Sequence, residues 1–199
     1  MKTWLPDGDP KIIAESYGKT FLRQWFVNFE NNDRIDFSLF GFSKNLWPTI
    51  VLPISRDLRV IAIKQFRPGA EKMVLEIPGG GPDLRHGDDS PIAVGYRELI
   101  EETGYEPDKI IQLSDHVFFD PSSSVAKYYP CLALGCHLIG KQNLDDSEQI
   151  EVVTFSLNEW LSMTLSGQVV DGKSVLITYM ALPHILGVNY KDFIQKVLK

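Results

Sequence analysis

The sequence is short of several things, and each shortage excludes a class of protein. It has two cysteines, Cys131 and Cys136, in 199 residues. They are not spaced as CxxC and no second pair exists to complete a zinc site, so they read as reduced core residues of a reducing compartment. No apolar run approaches the roughly 18 residues of a membrane span, and the opening "MKTWLPDGDP" lacks the apolar stretch of a secretory signal. A cytoplasmic protein that does not enter membranes is expected. A basic surplus is also missing: 20 Lys and Arg against 26 Asp and Glu leave a formal charge of −6. Such a chain exerts no global pull on nucleic acid or anionic lipid, so a polyanionic substrate must be drawn in locally, by arginine or by metal. The four histidines, at 86, 116, 137 and 184, form no ligand spacing. "PSSS" (121–124) has no partners for a nucleophilic triad and reads as a flexible loop. The glycines at 79–81 are followed by no GK[ST] and form no GxGxxG, which excludes the two common phosphate-loop fingerprints. No repeat or low-complexity tract is present.

What is there suits one globular domain, with or without an appendage: 44% apolar and 23% charged residues. "FLRQWFVNFE" (21–30) and "RIDFSLFGF" (34–42) alternate as strands across the turn "NND", with Ile35, Phe37 and Leu39 on one face. This N-terminal hairpin carries too many aromatics for a thin ribbon to leave in water, so it must pack on its own domain or on a partner subunit. "TIVLPI" (49–54), "RVIAIKQF" (59–66) and "VLEIPGGG" (74–81) read as strands, the last ending in glycines. A helix follows, with Ser90 as N-cap, Pro91 at its first position and Gly104 as a left-handed cap. Ile92, Tyr96, Leu99 and Thr103 fall at helical spacing and are expected to face the core. "HVFFD" (116–120), "AKYYPCLALGC" (126–136) and "EVVTFSL" (151–157) read as strands, with Pro130 marking an edge or a bulge. "SLNEWLSMTLSG" opens with a capping box, Ser156 and Glu159, and closes at Gly167; 174–183 and 190–198 read as helices. Strands, one central helix, more strands and then helices make an α+β or layered α/β fold, not a regular βαβ alternation.

The central helix is where chemistry concentrates. Glu98 and Glu101 are three residues apart, and Glu98 and Glu102 four, which stacks carboxylates on one face. Like charges at these spacings cost a few tenths of a kcal/mol per pair, and the dipole adds to that near the C-terminal end. A divalent cation removes the cost. Mg²⁺ or Mn²⁺ takes oxygen ligands, few of them from protein, and fills its shell with water and substrate phosphates. The glycine loop before the helix lets backbone come close, so a carbonyl there can add an oxygen ligand. The alternative is a solvated acidic face.

"RELIEETGY" (97–105) resembles the core of the Nudix box, G-x5-E-x7-R-E-U-x-E-E-x-G-U, with U a bulky apolar residue. Arg97, Glu98, Leu99, Glu101, Glu102 and Gly104 match. The front half departs. Asp89 stands where the pattern has Glu, and the glycine before it, best matched by Gly80, lies eight residues away instead of five. "IAIKQFRPG…LEIPGGG", "FFDPSSSVAKYYPCLALG" and "DDSEQIEVVTFSLNEW" are similar to the segments flanking the box in the ADP-ribose and nucleoside diphosphate sugar pyrophosphatases of that family.

The resemblance implies a Nudix fold, an α/β/α sandwich with a mixed central sheet. Residues 1–45 form an antiparallel strand extension through which members commonly dimerise, and 46–199 form the hydrolase domain. It implies attack of water on a nucleoside diphosphate linked to another group, with Mg²⁺, or Mn²⁺, as cofactor. Glu98, Glu101 and Glu102 with the carbonyl of Gly79 stand at the metal positions. Arg97 stands where an arginine orients a box carboxylate; the bland reading is a surface ion pair. Arg67 matches an arginine that grips substrate phosphate, for which a guanidinium fork is suited, against a solvated strand end. Glu76 contacts a substrate hydroxyl or supports the loop. The general base is Glu148 or, less favoured, Glu151, with Glu101 the competitor. The N-terminal Trp25, Phe26, Phe29 and Phe37 pack in a core or dimer rather than stack on a base. The partners expected are a small nucleotide and a second copy of the chain, with no nucleic acid. A rival of another class is a Nudix-fold sensor that binds a nucleotide without cleaving it, and a dinucleoside polyphosphate or capped-RNA hydrolase is a third reading.

Overall fold

The computed structural model describes residues 4–16, 18–42, 46–145, 148–187 and 195. In chain order the strands are β1 (Trp4–Pro6), β2 (Lys11–Ser16), β3 (Lys19–Asn28), β4 (Arg34–Phe42), β5 (Thr49–Ser55), β6 (Arg59–Arg67), β7 (Lys72–Glu76), β8 (Gly79–Gly80), β9 (Tyr105–Glu106), β10 (Lys109–Gln112), β11 (Val117–Phe118), β12 (Lys127–Leu138) and β13 (Ile150–Ser156). The helices are α1 (Pro91–Thr103), α2 (Leu157–Leu165) and α3 (Gly172–Ile185). The chain divides into two compact units. One comprises residues 1–47 and 116–128, the other residues 48–115 and 129–199.

In the first unit β3 is the spine. It pairs antiparallel with β4 from Lys19↔Phe42 to Val27↔Arg34, and along its other edge with β2 and then β1. The expected hairpin is present, and β1 and β2 extend it. Their short, exposed runs gave no periodic signal. The 116–128 segment joins this unit through Phe40, whose N–H donates to the Ser123 carbonyl and whose carbonyl accepts from Val125 N–H. Ser122 and Ser123 close a turn on the Asp120 carboxylate, so "PSSS" is a capped turn.

The second unit is built on a mixed sheet in the order β10-β12-β5-β6-β13, with β12 and β5 parallel. Val51 and Leu52 are neighbours on β5 and both are fully buried, so the sheet is covered on both faces. Val51, Ile61, Leu99, Cys131, Ala133 and Cys136 form one core layer under α1. The alternate residues point the other way, where α3 packs on β5 and α2 on β6 and β13. There the Trp160 indole N–H donates to Thr178 Oγ1 at 2.8 Å. The two cysteines are buried among apolar side chains, which pushes both thiols up to about 12 and leaves them inert.

The geometry that positions the site is a splay between β5 and β6. They meet at Ile54↔Val60 and then part. β7 pairs with β6 and β8 pairs with β5, filling the wedge, and Val51 N–H donates to the Pro78 carbonyl at the crossing. The glycine loop is thereby held inside the sheet, not out in solvent.

The caps of α1 are as read: Ser90 Oγ accepts from Ala93 N–H, and Gly104 sits at φ +75. Its buried face differs from expectation. Leu99 and Thr103 are buried, but Ile92 and Tyr96 are 44% and 40% exposed, and the face turned inward carries Val94, Gly95 and Glu102. Gly95 is the reason. A Cβ there would lie 2.8 Å from a Val51 methyl, so the helix rests backbone-down on β5 at that point. Pro130 also corrects an expectation. It lies in β12, an interior strand between β10 and β5. Its carbonyl accepts from Leu113 N–H just beyond the end of β10, so the donor it lacks would fall where that ladder has already stopped. The irregularity in β12 falls later, between Leu134 and Cys136. The short strands β9 and β10 were not legible. The capping box Ser156–Glu159 is present as read. The helix expected at 190–198 lies outside the described residues, residue 195 excepted.

Gly95→Ala is therefore expected to lower stability by about 1–3 kcal/mol through overpacking, although alanine is the better helix former by about 1 kcal/mol. Thermal unfolding of the two proteins checks this; an equal or higher midpoint for the variant would contradict the close approach of α1 to β5.

Candidate active site

Arg97 is the hub of the site, and its donors are directed at four separate groups. Nε donates to Asp88 Oδ2 at 2.9 Å, Nη1 to Glu101 Oε2 at 2.6 Å, and Nη2 to Glu98 Oε1 at 2.9 Å and the Gly81 carbonyl at 2.8 Å. The side chain is 16% exposed. Burial opposes its charge, but Asp88, Glu98 and Glu101 outweigh that and hold it firmly protonated. The ion pairs of Arg97 thus lie in a largely buried network and not at the surface.

The glycine loop meets the carboxylates from the other side. Gly79 N–H donates to Glu102 Oε2 at 2.8 Å. A Cβ on Gly80 would sit 2.3 Å from Glu98 Oε1, so only glycine lets the loop lie against that carboxylate. The expected contribution of Gly79 is its carbonyl; the group seen in contact is its amide.

Glu102 is 3% exposed. Burial raises its pKa well above the ordinary carboxyl value, and the charges of Glu98 and Glu148 add to that, while the Gly79 N–H and Arg67 oppose. Burial likewise pushes Glu98 up to about 7 against the pull of Arg97, with Glu101 and Glu148 adding to the rise. Both carboxyls thus hold a proton more readily than they would in water, chiefly because they are buried. All the donors on offer are oxygens, which suits a hard divalent cation. Among the described residues no three acidic, histidine or cysteine side chains converge into a ready-made cage; Arg97 and the Gly79 amide hold the three glutamates instead.

Arg67 makes a two-pronged pair with Glu76, Nε to Oε1 at 2.6 Å and Nη2 to Oε2 at 2.8 Å. Glu76 is 2% exposed and both of its oxygens are engaged. Burial works against the Arg67 charge, yet Glu76, Glu102 and Asp171 together raise its pKa. Arg67 therefore belongs to the same electrostatic cluster. Glu148 is exposed, accepts from Asp145 N–H at 3.2 Å, and stands near enough for its charge to act on Glu98 and Glu102. Glu151 instead faces Lys64 at 3.7 Å across the β13–β6 pair. His86 lies beside Asp83, His137 beside Glu106 and Asp108, and His116 edges Phe118, so those three histidines have partners outside the cluster.

Two groups escaped the sequence reading. The acid that braces Arg97 is Asp88, 5% exposed, and not Asp89, which is exposed. The 83–88 turn explains the offset: Asp83 N–H donates to Asp88 Oδ2, and Asp88 N–H approaches the Asp83 carbonyl at 3.4 Å. A one-residue offset in the motif count was the only trace of it. The second is the start of α3. Asp171 caps the helix and accepts from Ser174 Oγ, which in turn accepts from Ile77 N–H at 3.0 Å and pins the strand leading to the glycines. Nothing in the spacing of a remote serine signals that role.

The NUDIX domain family model matches residues 46–174. The chain is 31% identical over 138 residues to the ADP-ribose pyrophosphatase of Bacillus subtilis (strain 168), covering 68% of this chain and 72% of that one. It is 31% identical over 149 residues to a GDP-mannose pyrophosphatase of Yersinia pestis (strain Pestoides F), covering 68% and 70%. It is also 31% identical over 140 residues to the methanol dehydrogenase activator of Bacillus methanolicus, covering 68% and 72%. A solved structure described as an ADP compounds hydrolase superposes with a TM-score of 0.75 at 19% identity, covering 92% of this chain and 95% of that one, a likeness of fold.

The raised Glu98 pKa has a consequence for stability. Between about 4.5, its ordinary value, and about 7, the folded state holds a proton that the unfolded state has released. Stability of the metal-free protein should fall as pH rises through that window, by on the order of 3 kcal/mol from Glu98 alone. Mg²⁺ should raise the melting temperature more at pH 7.5 than at pH 5. Scanning calorimetry with and without Mg²⁺ measures both; a Mg²⁺ effect independent of pH would remove the link between the carboxylates and the cation.

Proposed function

The chain belongs to the NUDIX family and is a pyrophosphatase of it, and from that premise we propose that it uses Mg²⁺ to hydrolyse the diphosphate bond of ADP-ribose or a related nucleoside diphosphate sugar. The products are a nucleoside monophosphate and a sugar phosphate. The observation that carries the reading is the Arg97 hub: three glutamates held by one arginine and one glycine loop, with more negative charge than the protein neutralises.

In this proposal Glu98, Glu101 and Glu102, with the Gly79 carbonyl, hold the metal. When bound, the cation screens the diphosphate charge and makes a water more acidic. Arg97 fixes the directions of the Glu98 and Glu101 carboxylates, and Asp88 fixes Arg97. Arg67 receives the substrate phosphate with the half of its surface that is open, 45% of the side chain, while Glu76 locks the guanidinium plane. Glu76 thus acts through Arg67 and not on a substrate hydroxyl, because it is buried behind the guanidinium that engages both of its oxygens.

Glu148 is the general base. Glu101 is the weaker candidate, because its Oε2 is already engaged by Arg97 at 2.6 Å and is less free to accept a hydrogen bond from a water. Among the described residues, Glu148 accepts from one amide on one oxygen. The non-catalytic sensor loses its main support, which was the altered front of the motif: Asp88 occupies the bracing position that Asp89 leaves open. The same proposal takes residues 46–199 as the hydrolase domain and residues 1–45 as a dimerising extension, where Ile12, Ile13, Phe21 and Phe29 are at least half exposed, in a cytoplasmic homodimer. Among the described residues no helix is long and apolar enough to cross a membrane.

Incubation with a panel of nucleoside diphosphate sugars and Mg²⁺ or Mn²⁺, with products separated by ion exchange, should show cleavage between the two phosphates. Glu102→Gln should lower kcat by about 100-fold or more while the far-ultraviolet spectrum is unchanged. Tight nucleotide binding with no cleavage over hours would favour the sensor instead.

A further inference from the structure

One side chain holds both feet of the loop that carries Glu148. The Gln142 amide nitrogen donates to the backbone carbonyl of Glu102 at 2.7 Å and to that of Ile150 at 3.1 Å. Both partners are acceptors, so the side chain must present its two N–H groups. The Glu102 carbonyl belongs to the last turn of α1 and has no partner within the helix; Ile150 is the first residue of β13.

The neighbours of Gln142 reinforce the contact with α1. Asn143 N–H donates to the Glu101 carbonyl at 2.8 Å, and Ile139 N–H donates to the Gly104 carbonyl at 2.9 Å. Residues 139–143 therefore form a collar at the C-terminal end of α1, and two of its bonds go to the backbone of Glu101 and Glu102 themselves. At the other foot Glu148 stands two residues before Ile150. Its N–H returns to the Asp145 carbonyl at 2.9 Å, which shapes the approach to β13.

Fixing the two ends of a chain segment removes conformational freedom from the residues next to them. A backbone bond at each foot would fix them separately. A single carboxamide bonded to both fixes the distance between them, and so the place of Glu148 relative to α1. Resting on the reading of Glu148 as general base, we propose that Gln142 is a positioning residue for hydrolysis, cross-linking the end of the carboxylate helix to the start of β13 so that Glu148 stands over the glutamates of α1.

The test is a double-mutant cycle with two replacements at 142. Gln142→Met keeps the length and removes both donors; Gln142→Glu keeps the shape and offers only acceptors. Each should lower kcat by about 10- to 100-fold, the scale of an ångström misplacement, with KM changed less than about threefold. In a Glu148→Gln background the same replacements should cost nothing further, because the group they position is already gone. If the losses multiply, Gln142 acts elsewhere and the proposal fails, while Glu148 keeps its role. If Glu148→Gln turns over at the wild-type rate, the base assignment fails and the proposal falls with it. A second readout needs no metal and no turnover. In the metal-free Gln142→Met protein the amides of Asn143 and Glu148 should exchange with deuterium faster while those within α1 keep their protection. Exchange unchanged in the loop, or increased through α1, would overturn the proposal.

Discussion

The second unit depends on a guanidinium that touches three carboxylates and a carbonyl. Without Arg97, Asp88, Glu98 and Glu101 would crowd one another at the edge of a buried sheet, where charge is expensive to strand. With it, each carboxylate has a fixed direction and the cluster still carries net negative charge. That balance suits the proposed cation-dependent reaction: carboxylates ordered in advance, with charge left for a cation to meet. The raised pKa of Glu98 has burial as its first cause, with the charges of Glu101 and Glu148 adding to it against Arg97.

The scaffold follows from where that cluster must sit. Burying carboxylates against a sheet requires backbone to come close, and the parting of β5 from β6 makes the room. The wedge of β7 and β8 brings Gly79 and Gly80 to the helix, Gly95 lets the helix down onto β5, and Ser174 reaches from α3 to hold the wedge at Ile77. Three glycines and one serine thus set the height of α1 over the sheet. The core residues around them are interchangeable apolar bulk by comparison.

How much of this could be read in advance depended on the range of the interaction. Local signals were legible: the caps Ser90 and Gly104, the capping box Ser156–Glu159, the alternation of β3 and β4, and the spacing of Glu98, Glu101 and Glu102 are written within a few residues each. Long-range ones were not. The inward face of α1 was misjudged because Ile92 and Tyr96 look like core and Gly95 does not, and only the closeness of Val51 makes glycine the better fit. Pro130 reads as an edge or a bulge because the end of β10 beside it has no local mark. The pairing of Arg67 with Glu76 and the reach of Ser174 to Ile77 connect residues 9 and 97 positions apart, with no periodicity to reveal them.

The turn from Asp83 to Asp88 bears on how such chains are found. Its two ends are tied to each other, Asp83 N–H to the Asp88 carboxylate, so the residues between them bulge outward and add nothing to the separation of its ends. A pattern that counts residues measures contour length, whereas Arg97 responds only to distance through space. The Arg97 contact to this turn is made through Asp88, the acid that closes it. A search with rigid gaps would discard functional sequences for a difference that the fold itself never registers.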